Sequence, residues 1–227
     1  MNPNNKLWND NHKKLNRALR LNDRNASIEL FLCQHAMVHS ANMAKTGLWS
    51  FEDEILNGLT DNQLRAIPQG GEHSIAWILF HLSRIEDITM NMLVAGTPQL
   101  FTRADWGKKM NVAIIHSANR MDDTSLAKLS AGIHIKALKA YRVAVGRRTR
   151  LIVKKLQAQE FKRNVDPSRL QQVLDEGAVL PEAMEIIRYW GTKTIGGLLL
   201  MPPTRHCILH WNEALKIRKK IEKEKRT

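Results

Sequence analysis

The stretch from Ser74 to Ala95 constrains this chain more than any other. Ile75, Ile78, Leu79, Leu82, Ile85, Ile88 and Met92 recur at three- and four-residue spacing, which is one wide apolar face of a helix. Ser74 can start that helix, and Gly96 and Pro98 end it. So broad a face must be covered by other elements. No segment shows the two-residue alternation of a half-buried strand, and Gly (12) and Pro (7) are too scarce for a turn-rich all-β chain. The cover must therefore come from further helices.

Three other segments supply them. The spacing of Ile28, Phe31, Leu32, Met37 and Val38 predicts a first helix over about 27–43, with a short amphipathic piece at 49–59. A third helix is expected over about 124–158, broken near Gly132 or Gly146, and a short one over 182–193. A last helix is expected over about 204–223, with Thr204 as its N-cap after Pro202-Pro203. Residues 97–123 read as a long, poorly periodic connection, and 159–180 as irregular. Residues 1–23 read as a polar arm with at most a short basic helix at 13–21, leaving 24–227 as one domain. The expected fold is all-α: an antiparallel helical bundle with long connections.

A chain of 227 residues can bury a sizeable core without staples. Its two cysteines, Cys33 and Cys207, make no disulfide framework and fit a reducing cytoplasm. No signal peptide or membrane span is expected. The apolar stretch Ile75–Leu93 carries His81, Arg84, Glu86 and Asp87, which a lipid-facing helix would not tolerate. The formal charge of +13 and the basic face of the third helix (Lys136, Lys139, Arg142, Arg147, Arg148, Arg150, Lys154, Lys155) invite a nucleic-acid reading. No nucleic-acid fold motif accompanies them, and a solvated basic surface is the preferred account.

Chemistry points to histidine. His206 and His210 lie one turn apart on one face of the last helix, a spacing that can present two imidazoles to one cation. His81 shares the buried face of the second helix. If those helices are neighbours, the three rings can converge, and three protein ligands leave a position open for chemistry. Ordinary readings compete. H-x3-H arises readily by chance, an inward histidine is more often a hydrogen-bonded core residue, and His35/His39 has the same spacing. His73 can simply help cap the second helix. Cys207 stands where a zincin would need glutamate, so it reads as a packing residue. Glu213, three residues after His210, can orient a ligand or merely form a salt bridge. Arg84, Glu86 and Asp87 fit interhelical salt bridges better than a catalytic pair.

Two segments carry a family resemblance: Ser74-Ile-Ala-Trp-Ile-Leu-Phe-His81-Leu-Ser-Arg-Ile-Glu-Asp87 and Pro202-Pro-Thr-Arg-His-Cys-Ile-Leu-His-Trp-Asn-Glu213. Together they resemble the second and last helices of the DinB/YfiT-like superfamily of damage-inducible helical-bundle proteins, over about residues 24–217. The resemblance implies an up-down-down-up four-helix bundle, often a homodimer. It implies a divalent metal, nickel or zinc foremost, on His81, His206 and His210. It also implies a small-molecule substrate and, in some members, a low-molecular-weight thiol. Family activities include thiol S-transfer, thiol-dependent maleylpyruvate isomerisation and metal-dependent hydrolysis. The expected function is thus a metal-dependent hydrolase or thiol S-transferase. The alternative is a metal-free bundle serving as a nucleic-acid-binding or stress-response interaction module.

Overall fold

The computed structural model describes residues 3–224; the first two residues of the expected arm and the last three of the basic tail lie outside them. The described chain is all-helical. It has no strand, only an isolated bridge between Asn164 and Thr194. Five long helices dominate: α1 (Pro3–Arg20), α2 (Arg24–Met37), α3 (Ile75–Asp87), α4 (Ile135–Lys155) and α5 (His206–Glu224). The α3 helix packs on both α4 and α5, α2 packs on α4, and α1 packs along α2. No described helix is long and apolar enough to cross a membrane.

The local reasons follow the sequence closely in α3. The Ser74 hydroxyl accepts from the Trp77 amide at 3.0 Å, closing the N-terminus. Beyond Asp87 the helix continues as a π-helical segment, Ile88–Ala95, and ends at Gly96 with φ of 64°. All thirteen residues of α3 are buried, because helices cover it on several sides. Two apolar clusters share this helix. One runs from Ile75 to Leu82 and takes in α5 and the first half of α4. The other begins at Ile85 and takes in Ile152, Phe161, Trp190 and Leu198. The change-over falls in the turn after His81.

Several expectations are corrected. Residues 3–20 are not a polar arm. They form a helix that buries Trp8, Leu15 and Leu19, and Gln34 of α2 donates to the Trp8 carbonyl at 2.9 Å. The expected helix over 124–158 breaks at the first of its two expected points, just after Gly132, into Asp123–Gly132 and α4, parted at Ile133-His134, where the His134 amide turns to the Met110 carbonyl. Gly146 does not break α4. Residues 159–180 contain a 3₁₀ turn (Ala158–Lys162) and a helix, Pro167–Asp175, whose Asp166 cap and first-turn proline are a start signal. Thr204 is no N-cap. It lies in a π-helical turn, Met201–Arg205, and its hydroxyl donates back to the Leu199 carbonyl at 2.8 Å. The connection over 97–123 contains short turns at Leu100–Arg103 and Trp106–Met110 and is tied down by Asp87. That carboxylate accepts from the Leu100 and Phe101 amides at 2.9 and 2.8 Å, from the Tyr141 hydroxyl at 2.6 Å and from Asn91.

Candidate metal centre

His81 stands on the face of α3 turned toward α5, and it is 1% exposed. One and two turns earlier, Trp77 and His73 lie in a stack with it. The centroid separations are 4.8 Å for Trp77 with His81 and 3.8 Å for His73 with Trp77. From α5 come His206 and His210, their rings 4.6 Å apart and each 5.0 Å from His81. One nitrogen from each of the three lies within 4.8 Å of the others, and the Nε2 atoms of His81 and His206 are 3.2 Å apart. The two helices thus bring together the three histidines singled out from their spacing.

The hydrogen bonds around the rings decide which nitrogen is free. His81 Nδ1 lies 2.7 Å from the Ser117 carbonyl, which can only accept. The proton is therefore on Nδ1 and a lone pair remains on Nε2. His210 Nδ1 lies 2.8 Å from Glu213, which also takes His73 Nδ1 at 2.7 Å. A carboxylate accepts from both, so His210 keeps its lone pair on Nε2 as well. Burial pushes His81 down to about 3. Burial likewise holds His206 well below the usual histidine range. For Glu213 burial acts upward, but the bonds from His210 and His73 prevail and bring it down to about 2.

This donor set suits a divalent cation. Neutral imidazoles whose far nitrogen is held by a carbonyl or carboxylate are the usual form of a metal-ligating histidine. With zinc–nitrogen bonds of 2.0–2.1 Å, two tetrahedral ligands would sit about 3.3 Å apart, close to the observed 3.2 Å. His210 is 20% exposed at its side chain, so the cluster has a solvent side. His206 Nδ1 is buried without a hydrogen-bond partner among the described residues.

The competing pair converges elsewhere. His35 and His39 donate from Nε2 to the two oxygens of Glu86, at 2.9 and 2.8 Å, and all three side chains are wholly buried. Arg142 closes the network, 3.2 Å from Glu86 and 3.2 Å from Glu52, and also donates to the Val38 carbonyl. Burial alone would raise the Glu86 carboxyl, but His39 and His35 hold it well below the ordinary range. A guanidinium already supplies the positive charge this carboxylate needs. The group reads as a dry interhelical tie, the salt-bridge role expected for Glu86. Cys207 belongs to its edge: burial pushes the thiol up to about 12, and Arg142 donates to the sulfur.

Sequence reasoning missed Ser117 and the job of His73. Ser117 sits in an aperiodic stretch and contributes only a carbonyl, so no side-chain signal exists. His73 is not a cap; it bonds Glu213, 140 residues away. Its place four residues before Trp77 and eight before His81 was a usable signal.

No curated protein matches the chain. The family model of the DinB superfamily matches residues 52–214, well over half the chain, and spans α3, α4 and the first half of the histidine-bearing helix α5. All three histidines lie in that span, and the chain belongs to the DinB superfamily.

Proposed function

We propose that His81, His206 and His210 hold a divalent cation, nickel or zinc, and that the protein is a metal-dependent enzyme acting on a small molecule. A hydrolase and a thiol S-transferase are the two forms this reading takes. In it, α2 to α5 form an up-down-down-up four-helix bundle, with α1 laid along its outside. The observation that carries it is the bond two of the converging rings make at Nδ1, His81 with the Ser117 carbonyl and His210 with Glu213, which leaves Nε2 of each as the nitrogen to offer. The chemistry such an ion supplies when bound is a Lewis-acid centre that acidifies water or a thiol. The chain's own residues do the rest. Ser117 and Glu213 orient the ligands. Trp77, stacked between His73 and His81, shields one side from water. Glu213 and His73 form a hydrogen-bonded pair running outward from His210 to a partly exposed imidazole.

The basic-module alternative loses much of its support. Of the eight cations on the third-helix face, Arg142 is buried in the Glu86 network, and Arg147, Arg148 and Arg150 each donate to acceptors within the protein.

Protein purified without a metal-affinity tag tests the proposal by elemental analysis. We expect about one equivalent of a transition metal, lost in His210→Ala together with a lower melting temperature, because metal binding is coupled to folding. Less than about a tenth of an equivalent, unchanged after reconstitution, overturns it.

A further inference from the structure

A cavity of about 410 Å³ opens beside His206. Its walls are Ile85, Ile186, Trp190 and Met201, with Tyr189 at the rim. Its volume falls within the range that small-molecule sites occupy. The polar groups are few. Asn119 reaches the cleft from the 97–123 connection. Its Oδ1 is taken by the Ser117 hydroxyl at 2.7 Å, while its Nδ2 makes no hydrogen bond among the described residues. Glu185, the carboxylate in the lining, is held by Arg120 at 3.0 Å. No lysine or arginine lines the cleft.

The geometry points to this cleft as the seat of an uncharged aromatic or branched aliphatic body, part of a substrate whose polar end reaches the three histidines. The inference rests on the metal-site reading and adds the substrate class to it. Continuity supports it. His206 lines the cleft and the histidine cluster alike, Ile85 lies one turn beyond His81, and Asn119 is two residues from the carbonyl that orients His81. Apolar walls gain by covering an apolar body, and the free Asn119 Nδ2 offers one donor to a carbonyl or hydroxyl at its edge. A polyanionic thiol would find no counter-charge among these lining residues, so the cleft favours the hydrolase form.

The test compares acetohydroxamate with benzohydroxamate as ligands of the zinc-loaded protein, by calorimetry. Both carry the same chelating end, and they differ in the body the cleft would receive. Benzohydroxamate should bind about tenfold tighter, since a tenfold ratio is about 1.4 kcal/mol and a buried ring readily supplies it. Ile186→Asp should abolish that preference while leaving acetohydroxamate binding and zinc content intact. Tyr189→Ala, at a 40% exposed position, should weaken the preference and repeats the test should the first variant not fold. Equal affinities in the wild type, or a preference untouched by the variants that fold, overturn the cleft. Zinc that is not retained sinks the metal reading alone. The cleft is then read in the metal-free protein with benzyl alcohol: saturable shifts of the Asn119 and Trp190 side-chain resonances sustain it, and their absence removes it.

Discussion

Gly146 lies in the interior of α4, where glycine costs about 1 kcal/mol relative to alanine. A Cβ at this position would stand 2.8 Å from His39 Nδ1 and 2.9 Å from Met43 Cγ, closer than carbon packs. The glycine therefore makes room for His39 to reach Glu86. Gly146→Ala should lower stability despite its better helix propensity, because overpacking typically costs about 1–3 kcal/mol. A fall in melting temperature is the expected reading, and a rise would show that His39 can step aside freely. At the other cluster, Glu213→Gln keeps the shape but replaces a carboxylate that serves two imidazoles. Outer partners of this kind are worth about 10–100-fold in metal affinity. Competition against a chelator should show such a loss, while an unchanged affinity would mean that His210 is held without Glu213. Both residues were visible in the sequence, yet their partners were not. Gly146 reads there as a possible break, since a sequence does not reveal what approaches a helix from across the core. Glu213 reads as ligand orienter or salt bridge, and the structure shows it bonded to His210 and to His73.

The elements were legible where periodicity and caps agree. The α3 helix and its π-helical continuation, with Ser74 before and Gly96 after, were readable to within a residue because one wide apolar face recurs along them and their ends are punctuated. The α1 helix was hidden for the opposite reason. Its buried residues, Trp8, Leu15 and Leu19, are few and far apart among Asn and Lys, so one narrow stripe carries its docking. The 97–123 connection was opaque because its order comes from a distant carboxylate. Asp87 holds the Leu100 and Phe101 amides and the Tyr141 hydroxyl and lies 3.5 Å from Arg84. Removing it in Asp87→Ala leaves a buried guanidinium without its anion and four donors unmatched, those of Leu100, Phe101, Tyr141 and Asn91. Breaking a buried pair in this way costs about 3–5 kcal/mol. The effect should spread along the element: amide exchange over 97–123 should accelerate, and metal retention should weaken through Ser117. Stability lost with no change in exchange there would place the role of Asp87 within α3 alone.

At the scale of the whole molecule, part of the positive charge on α4 is turned inward, with Arg142 wholly buried. The sequence shows +13 but cannot show that arginines on α4 are turned to backbone carbonyls and buried carboxylates. What remains is a core with several ionisable groups, and acid should find them. In the metal-free protein, burial keeps His39 down at about 3, with Arg142 adding to the effect; His35 is lowered mainly by burial too, against the pull of Glu86, and burial also lowers His81 and His206. An unfolded histidine takes up its proton near pH 6.5. Between about 6.5 and 3 the unfolded chain thus binds more protons than the folded one, and stability must fall as pH falls. Glu52 works the other way. Burial raises it to about 7 against the pull of Arg142, so between its ordinary 4.5 and 7 the folded state holds the extra proton. Stability contributed by Glu52 therefore grows as pH drops through that window, and the histidines are partly offset until about pH 4.5. The melting temperature should decline gently from pH 7 to 5 and steeply below. In Glu52→Gln the offset disappears, and the decline should begin near pH 6.5. A Glu52→Gln melting temperature that stays flat between 6.5 and 4.5 would mean that the buried histidines, His35 and His39 among them, carry protons in the folded state. The Glu86 network would then be an ion pair on both sides, and not a neutral imidazole tie.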